Sequence, residues 1–137
     1  MENSLPTVVV VDDSSTVRVI FELSVAPLDI ELRTFRSAVQ SMEFLKDHAP
    51  AVLFLDIIMP DKDGLTFLEE LRRNPIHEHT PVVMISSKDY AQDRMIAKEL
   101  GAVDFVAKPM RTQTIQDLII KYANPRWKDD PGVPAHE

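Results

Sequence analysis

The fold is decided by a stretch near the N-terminus, residues 7–14, which reads TVVVVDDS. Four consecutive valines before two aspartates are typical of a parallel strand covered on both faces, since a half-exposed strand would alternate apolar and polar side chains. Further short runs rich in Val, Ile and Phe follow along the chain. The predicted strands are residues 7–11, 30–35, 52–55, 82–85 and 104–107.

Segments of helical periodicity separate these strands and follow the last one. The predicted helices are residues 14–25, 37–47, 65–73, 90–100 and 111–122. The alternation predicts an α/β fold, (βα)5, with a doubly wound five-stranded parallel sheet of flavodoxin-like type, strand order 2-1-3-4-5 and right-handed crossovers. We expect positive φ at Gly64, which lies in a turn, and at Gly101, which follows a helix.

The composition indicates one domain. A chain of 137 residues that is 45% hydrophobic is long enough to bury its own core. We expect the domain to span residues 1–122. Residues 123–137 contain three prolines and no apolar periodicity, which is typical of a linker or frayed tail.

The charge and the missing cysteines limit the partners and the compartment. A net charge of −7 argues against direct nucleic-acid binding by this segment. No run of about 18 apolar residues predicts a membrane span, and the N-terminus lacks a signal-peptide pattern. The chain has no cysteine, which is compatible with a reducing compartment. We therefore expect a cytoplasmic protein without membrane contact.

Polar side chains follow four of the predicted strands at the point where each strand ends. Asp12 and Asp13 follow the first strand, Asp56 the third, Ser86 the fourth and Lys108 the fifth. Because the carboxyl ends of parallel strands share one edge of the sheet, these side chains are expected around a single crevice.

Three carboxylates in one crevice require a bound proton or a bound cation, since two unit charges ~4 Å apart repel by about 4 kcal/mol at an effective dielectric of ~20. An all-oxygen site without Cys or His favours Mg²⁺. A Mg²⁺ ion, a lysine ammonium and a serine hydroxyl together stabilise a phosphoryl group in transfer. One carboxylate can act as the nucleophile and form an aspartyl phosphate.

Four separated motifs carry a family resemblance: residues 8–14 (VVVVDDS), 56–64 (DIIMPDKDG), 85–87 (ISS) and 104–109 (DFVAKP). In this order and spacing they resemble the motif set of response-regulator receiver domains, over about residues 6–122. The resemblance implies a two-component phosphorelay in which a histidine kinase or histidine phosphotransfer protein donates the phosphoryl group. The output is a downstream effector protein or domain. The resemblance also implies a signalling protein that catalyses only its own phosphoryl transfer and slow aspartyl-phosphate hydrolysis.

The same resemblance implies roles for the acidic residues. Asp56 accepts the phosphoryl group. Asp13 and Asp56 bind Mg²⁺ directly together with the backbone carbonyl of Ile58, and Asp12 holds the metal through water.

The resemblance further implies a switch. Ser86 and Lys108 grip the phosphoryl oxygens, and movement of the Ser86 hydroxyl lets Phe105 turn inward, where Tyr is common in the family. This repacking reshapes the face of the fourth helix, fifth strand and fifth helix, through which a homodimer is also possible. The Lys108–Pro109 peptide bond is expected to be cis.

The residues alone leave other interpretations open. Ser87 is an alternative to Ser86 as the active hydroxyl. Composition alone favours an ordinary core role for Phe105, and only the family resemblance gives the switch equal weight. The His77-Glu78-His79 segment lacks the i, i+4 spacing of a helical zinc motif, so ordinary loop residues are favoured over a metal or phosphohistidine site.

Two other functions compete with the phosphoacceptor. A binding module that signals without phosphorylation would lack part of the acidic pocket, which this sequence keeps. A Mg²⁺-dependent phosphohydrolase would need an Asp-x-Asp nucleophile motif and a cap insertion, and neither Asp12-Asp13-Ser14 nor Asp56-Ile57-Ile58 provides them.

Overall fold

The computed structural model describes residues 5–129. Its strands are β1 (Thr7–Val11), β2 (Leu28–Asp29), β3 (Glu31–Phe35), β4 (Val52–Asp56), β5 (Val82–Ser86), β6 (Asp104–Ala107) and β7 (Arg126–Trp127). Its α-helices are α1 (Ser15–Val25), α2 (Ala38–Leu45), α3 (Gly64–Arg72), α4 (Ala91–Glu99) and α5 (Thr112–Ala123), and a 3-10 helix covers Pro75–His77.

Five strands form one parallel sheet in the order β3-β1-β4-β5-β6. Each neighbouring pair in this order is parallel. The five strands expected from the sequence are β1, β3, β4, β5 and β6, so their order is 2-1-3-4-5. The predicted fold class and strand order are confirmed.

The valines of β1 show why that strand has no apolar–polar alternation. Val8 and Val10 pack in a core cluster under α1 and α5, whereas Val9 and Val11 pack in a second cluster under α2, α3 and α4. All four side chains are fully buried. Because burial of one such side chain contributes roughly 1.5–3 kcal/mol, the two cores hold the carboxyl ends of the strands rigidly in place.

The two glycines that were expected at positive φ behave differently. Gly101 follows α4 with φ at +84°, as predicted. The prediction for Gly64 is wrong, since Gly64 begins α3 without a positive φ. Glycine is needed there for space, because a Cβ atom would lie 2.1 Å from the Asp56 carbonyl oxygen.

A second, two-stranded sheet attaches the end of the described chain to the domain. β7 pairs with β2 in antiparallel fashion, with Trp127 opposite Leu28. The Lys128 N–H donates a hydrogen bond to the Pro27 carbonyl at 2.9 Å. Backbone pairing therefore ties residues 126–128 to the segment after α1, and the interpretation of residues 123–137 as a linker or frayed tail stays a prediction. The boundary between residues 1–122 and 123–137 stays a prediction, and residues 130–137 lie outside the described residues.

Within residues 5–129, none of the helices is long and apolar enough to cross a membrane.

Candidate functional site

The predicted site residues meet at the carboxyl edge of the main sheet. Asp12 and Asp13 follow β1, Asp56 and Ser86 are the last residues of β4 and β5, and Lys108 follows β6. Carboxylate oxygens of Asp12, Asp13 and Asp56 all lie within 4.8 Å of one another. Asp12, Asp56 and Ser86 are buried, whereas Asp13 is exposed. The edge is therefore a buried acidic pocket with one carboxylate at its rim.

Lys108 closes the pocket from the β6 side. Its Nζ atom lies 2.9 Å from Asp12 Oδ2 and 3.5 Å from Asp56 Oδ2. Burial by itself would lower the pKa of Lys108, but the Asp12 and Asp56 carboxylates outweigh that effect and the pKa is raised. Lys108 therefore stays a cation at neutral pH and can bind an anionic group.

The Asp56 carboxyl group is destabilised as an anion. Its pKa is raised from the ordinary value of 3.8 to about 6, first because the group is buried and second because Asp12 is close. Lys108 and a hydrogen bond from the Ile58 N–H oppose the rise in pKa without cancelling it. The pocket therefore holds more negative charge than its own residues neutralise.

The pocket fits a hard divalent cation. Asp12 Oδ1 accepts a hydrogen bond from the Ser14 N–H at 2.8 Å. Asp12 Oδ2 is buried and, among the described residues, accepts no hydrogen bond, although the Lys108 ammonium is an ion-pair partner. Three grouped carboxylates form an all-oxygen donor set, which suits Mg²⁺. A cation there would relieve the excess negative charge.

Ser86, and not Ser87, faces the interior. Ser86 is fully buried and its Oγ accepts a hydrogen bond from the Lys88 N–H at 3.0 Å, whereas Ser87 is exposed. Ser86 pairs with Ala107 in the sheet, and its carbonyl accepts a hydrogen bond from the Lys108 N–H at 2.8 Å. The burial of Ser86 favours it over Ser87 as the hydroxyl of the pocket.

The remaining residues singled out from the sequence are Phe105, Pro109 and Ile58. Phe105 is partly buried and packs against the core cluster under α2, α3 and α4. The Lys108–Pro109 bond is cis, as predicted. Ile58, two residues after Asp56, is 52% exposed at the edge of the pocket.

The His77-Glu78-His79 segment has a structural role. His77 is buried, with Nδ1 3.0 Å from Thr80 Oγ1 and Nε2 bonded to the Leu45 carbonyl. Both ring nitrogens of His77 are therefore occupied by protein partners, in agreement with the sequence interpretation.

Sequence reasoning missed Arg18, which supports the acidic turn. Arg18 Nη1 donates a hydrogen bond to the Asp12 backbone carbonyl at 3.0 Å and so ties α1 to the turn after β1. No sequence pattern marks this contact, because a long side chain can reach many carbonyls.

Comparison with known protein families decides the class of the chain. The family model described as the response regulator receiver domain matches residues 8–120. The chain belongs to this family. The resemblance found in the four motifs is thereby confirmed, and the receiver domain is a signalling module of two-component systems.

Two curated relatives place receiver-like segments in longer proteins. This receiver domain is 43% identical over 108 residues to protein-glutamate methylesterase/protein-glutamine glutaminase 2 of Pseudomonas aeruginosa, covering 75% of this chain and 30% of that protein. It is 35% identical over 114 residues to the sensor histidine kinase CheAY of Helicobacter pylori, covering 82% of this chain and 14% of that protein. The chain thus spans less than a third of either relative.

A solved structure shows the same fold. The CheY-like response regulator receiver domain protein of Methanospirillum hungatei JF-1 superposes with a TM-score of 0.80 at 16% identity, covering 88% of this receiver domain and 95% of that chain.

Proposed function

We propose that this receiver domain takes a phosphoryl group onto Asp56 from a histidine kinase or a histidine phosphotransfer protein, with the help of Mg²⁺. The observation that carries the proposal is the convergence of Asp12, Asp13 and Asp56 within 4.8 Å, with Lys108 in contact with two of the three. This set combines a nucleophile, metal ligands and a cation for the transferred group in one pocket.

Asp56 is the member of the pocket best placed to be the nucleophile. Asp56 and Asp12 are both buried at strand ends, but Asp12 is engaged by the Ser14 N–H and by Lys108 at 2.9 Å, whereas Asp56 lies 3.5 Å from Lys108. One Asp56 oxygen attacks the phosphorus atom, an acyl phosphate bond forms, and the phosphorus–nitrogen bond of the donor breaks with its electron pair left on the imidazole. Asp13 at the rim and Asp12 at the floor remain as ligands.

Charge in this transfer is handled by Lys108 and by the metal. The Asp12, Asp13 and Asp56 carboxylates, with the Ile58 carbonyl, would hold Mg²⁺, which supplies positive charge for the phosphoryl oxygens. The Lys108 ammonium, now shared between Asp12 and Asp56, would bind a further phosphoryl oxygen. Because phosphorylation converts the Asp56 carboxylate into an acyl phosphate, Lys108 would exchange a carboxylate partner for a phosphoryl partner.

Ser86 and Phe105 would convert phosphorylation into a change of surface. The Ser86 hydroxyl would leave the Lys88 N–H and donate to a phosphoryl oxygen, and Phe105 on the neighbouring strand would turn into the space it vacates. The changed surface would be the face of α4, β6 and α5. Two conformations that a ligand biases in this way form a population shift.

The receiver domain would act on protein partners in the cytoplasm. The output would be contact with an effector protein or domain, with homodimerisation through the face of α4, β6 and α5 as one form of it. The acidic charge supports a protein rather than a nucleic acid as the partner, and the lack of cysteine supports a cytoplasmic location.

Phosphorylation by a small donor tests the proposal. We expect acetyl phosphate and Mg²⁺ to add the mass of one phosphoryl group to the intact protein, and EDTA or Asp56→Asn to abolish the gain. Asp47→Asn is the matched control, since Asp47 is an exposed aspartate in the loop before β4, and it should be phosphorylated like the wild type. A wild-type protein that gains no phosphoryl group would refute the proposal.

A further inference from the structure

The ring of Phe105 is covered by a guanidinium group from α4. Arg94 Cζ lies 4.5 Å from the centroid of the Phe105 ring, which is a cation–π contact. A cavity of about 300 Å³ opens beside the ring, and Arg94 and Phe105 both line it. The ring therefore has space nearby, and Arg94 is the charged group that lies over it.

Arg94 is itself held by the loop between β5 and α4. Its Nε and Nη2 atoms both bind the Asp89 carboxylate, the second at 3.3 Å from Oδ2. This pairing raises the pKa of Arg94 and lowers that of Asp89, and Asp104 on β6 adds a smaller attraction to Arg94. A two-point fork fixes the orientation of the guanidinium plane as well as its position.

The same loop carries the partner of Ser86. The Ser86 Oγ accepts from the Lys88 N–H, and Lys88 is the residue directly before Asp89. A continuous series of contacts therefore runs from Ser86 through Lys88 and Asp89 to Arg94 and the Phe105 ring. Any movement that takes the Ser86 hydroxyl away from Lys88 acts on the loop segment that anchors Arg94.

We infer that Arg94 is a positioning residue for Phe105, which holds the ring in its present place and, through Asp89, links its release to the loop after Ser86. The inference rests on the proposed function, because the linkage matters only if Ser86 responds to a phosphoryl group. A phenylalanine has no hydroxyl group with which to hydrogen-bond. The cation–π contact with Arg94 is therefore the electrostatic interaction that holds this ring. We call the Asp89–Arg94 pair the clamp.

The clamp can be tested on the ring signal of Phe105. Protein labelled with ¹³C in its phenylalanine rings is studied by NMR, free and with Mg²⁺ plus beryllofluoride, and Phe105→Leu assigns the signal. The variants are Arg94→Gln, Asp89→Asn and the double variant. Arg73→Gln is the matched control, since it makes the same substitution at an exposed arginine that follows α3 and does not line the cavity beside Phe105.

We expect Arg94→Gln to move the Phe105 signal of the free protein part of the way toward its beryllofluoride position. The inward population should rise about two- to fivefold, the change expected when an exposed cation–π contact is lost. Asp89→Asn should act in the same direction, and the double variant should add little to Arg94→Gln, because both residues belong to one contact. Arg73→Gln should leave the signal in place.

Two outcomes would contradict the inference and are distinguishable. If beryllofluoride moves the wild-type signal but Arg94→Gln and Asp89→Asn behave like Arg73→Gln, the clamp is refuted and the phosphoacceptor proposal stands. If beryllofluoride leaves the wild-type Phe105 signal unchanged, the proposed switch is refuted and the role of the clamp falls with it.

Discussion

Among single residues, Asp56 is buried at a cost to the stability of the folded protein. Its pKa of about 6 in the folded protein exceeds the ordinary 3.8, so the ionised carboxylate destabilises the native state. We predict that Asp56→Asn, in EDTA at pH 7.5, raises the free energy of unfolding by about 2 kcal/mol. Urea denaturation of both proteins measures this difference.

The stability difference between the wild type and Asp56→Asn should depend on pH. Because the folded state binds the Asp56 proton more tightly than the unfolded state, the free energy of unfolding of the wild type rises as the pH falls from about 6 toward 3.8. The advantage of Asp56→Asn should therefore shrink across this range and vanish below it. An advantage that stays constant from pH 7.5 to 4 would show that charge burial is not its cause.

At the scale of elements, the junction between β4 and α3 depends on Gly64. The Gly64 N–H donates to the Ile57 carbonyl at 2.7 Å, and a Cβ atom would lie 2.1 Å from the Asp56 carbonyl oxygen. We predict that Gly64→Ala destabilises the protein by about 2–3 kcal/mol, because backbone next to Asp56 must shift. Thermal unfolding measures the loss, and a reduced rate of phosphorylation by acetyl phosphate should accompany it. An unchanged melting temperature would contradict the close approach.

Arg72 joins three segments at the opposite end of α3. Its guanidinium donates to four carbonyls: Leu100 at 2.9 Å, His77 at 2.7 Å, Thr80 at 2.9 Å and Gly101 at 3.1 Å. We predict that Arg72→Gln costs about 2–3 kcal/mol, since partly buried carbonyls lose their donors. Arg73→Gln is the control at the neighbouring exposed position and should stay within about 0.5 kcal/mol of the wild type in urea denaturation. Equal losses in the two variants would exclude a special role for Arg72.

Sequence reasoning succeeds for elements that have a period and fails for those that do not. Buried strands such as β1 and amphipathic helices repeat over several residues, so their order and the edge they share could be predicted. The two-residue strands β2 and β7 have no period, and their pairing depends on where α5 ends. The sequence marks Gly64 as a position that needs glycine, but it does not tell whether the need is a positive φ or space beside the Asp56 carbonyl.

The clustering of the site residues could be predicted from the sequence, because it follows from the order of the strands. The residues that contact and support the site could not be predicted. Asp12, Asp56 and Lys108 directly follow or end strands of one parallel sheet, so topology alone brings them together. Arg18 and Arg94 act through long side chains, and packing decides that their partners are the Asp12 carbonyl and the Asp89 carboxylate. The clamp on Phe105 is therefore visible only in the structure.

In the molecule as a whole, we expect metal binding and folding to be coupled. Three carboxylates within 4.8 Å repel one another, so Mg²⁺ should bind the native state and raise the melting temperature of the wild type. Asp13→Asn removes the exposed carboxylate at the rim and should weaken this stabilisation by about tenfold in Mg²⁺ concentration. Titration of the melting temperature with Mg²⁺ checks the effect, with Asp47→Asn as control. A shift equal in all three proteins would indicate nonspecific binding.

If Asp56 carries the phosphoryl group, chemical localisation should find the group at that residue. Borohydride reduces an aspartyl phosphate to homoserine, which peptide mass spectrometry assigns to a single position. After treatment with acetyl phosphate and Mg²⁺, we expect homoserine at position 56 and none in the sample with EDTA. Homoserine at position 12 or 13, or at no position, would contradict it.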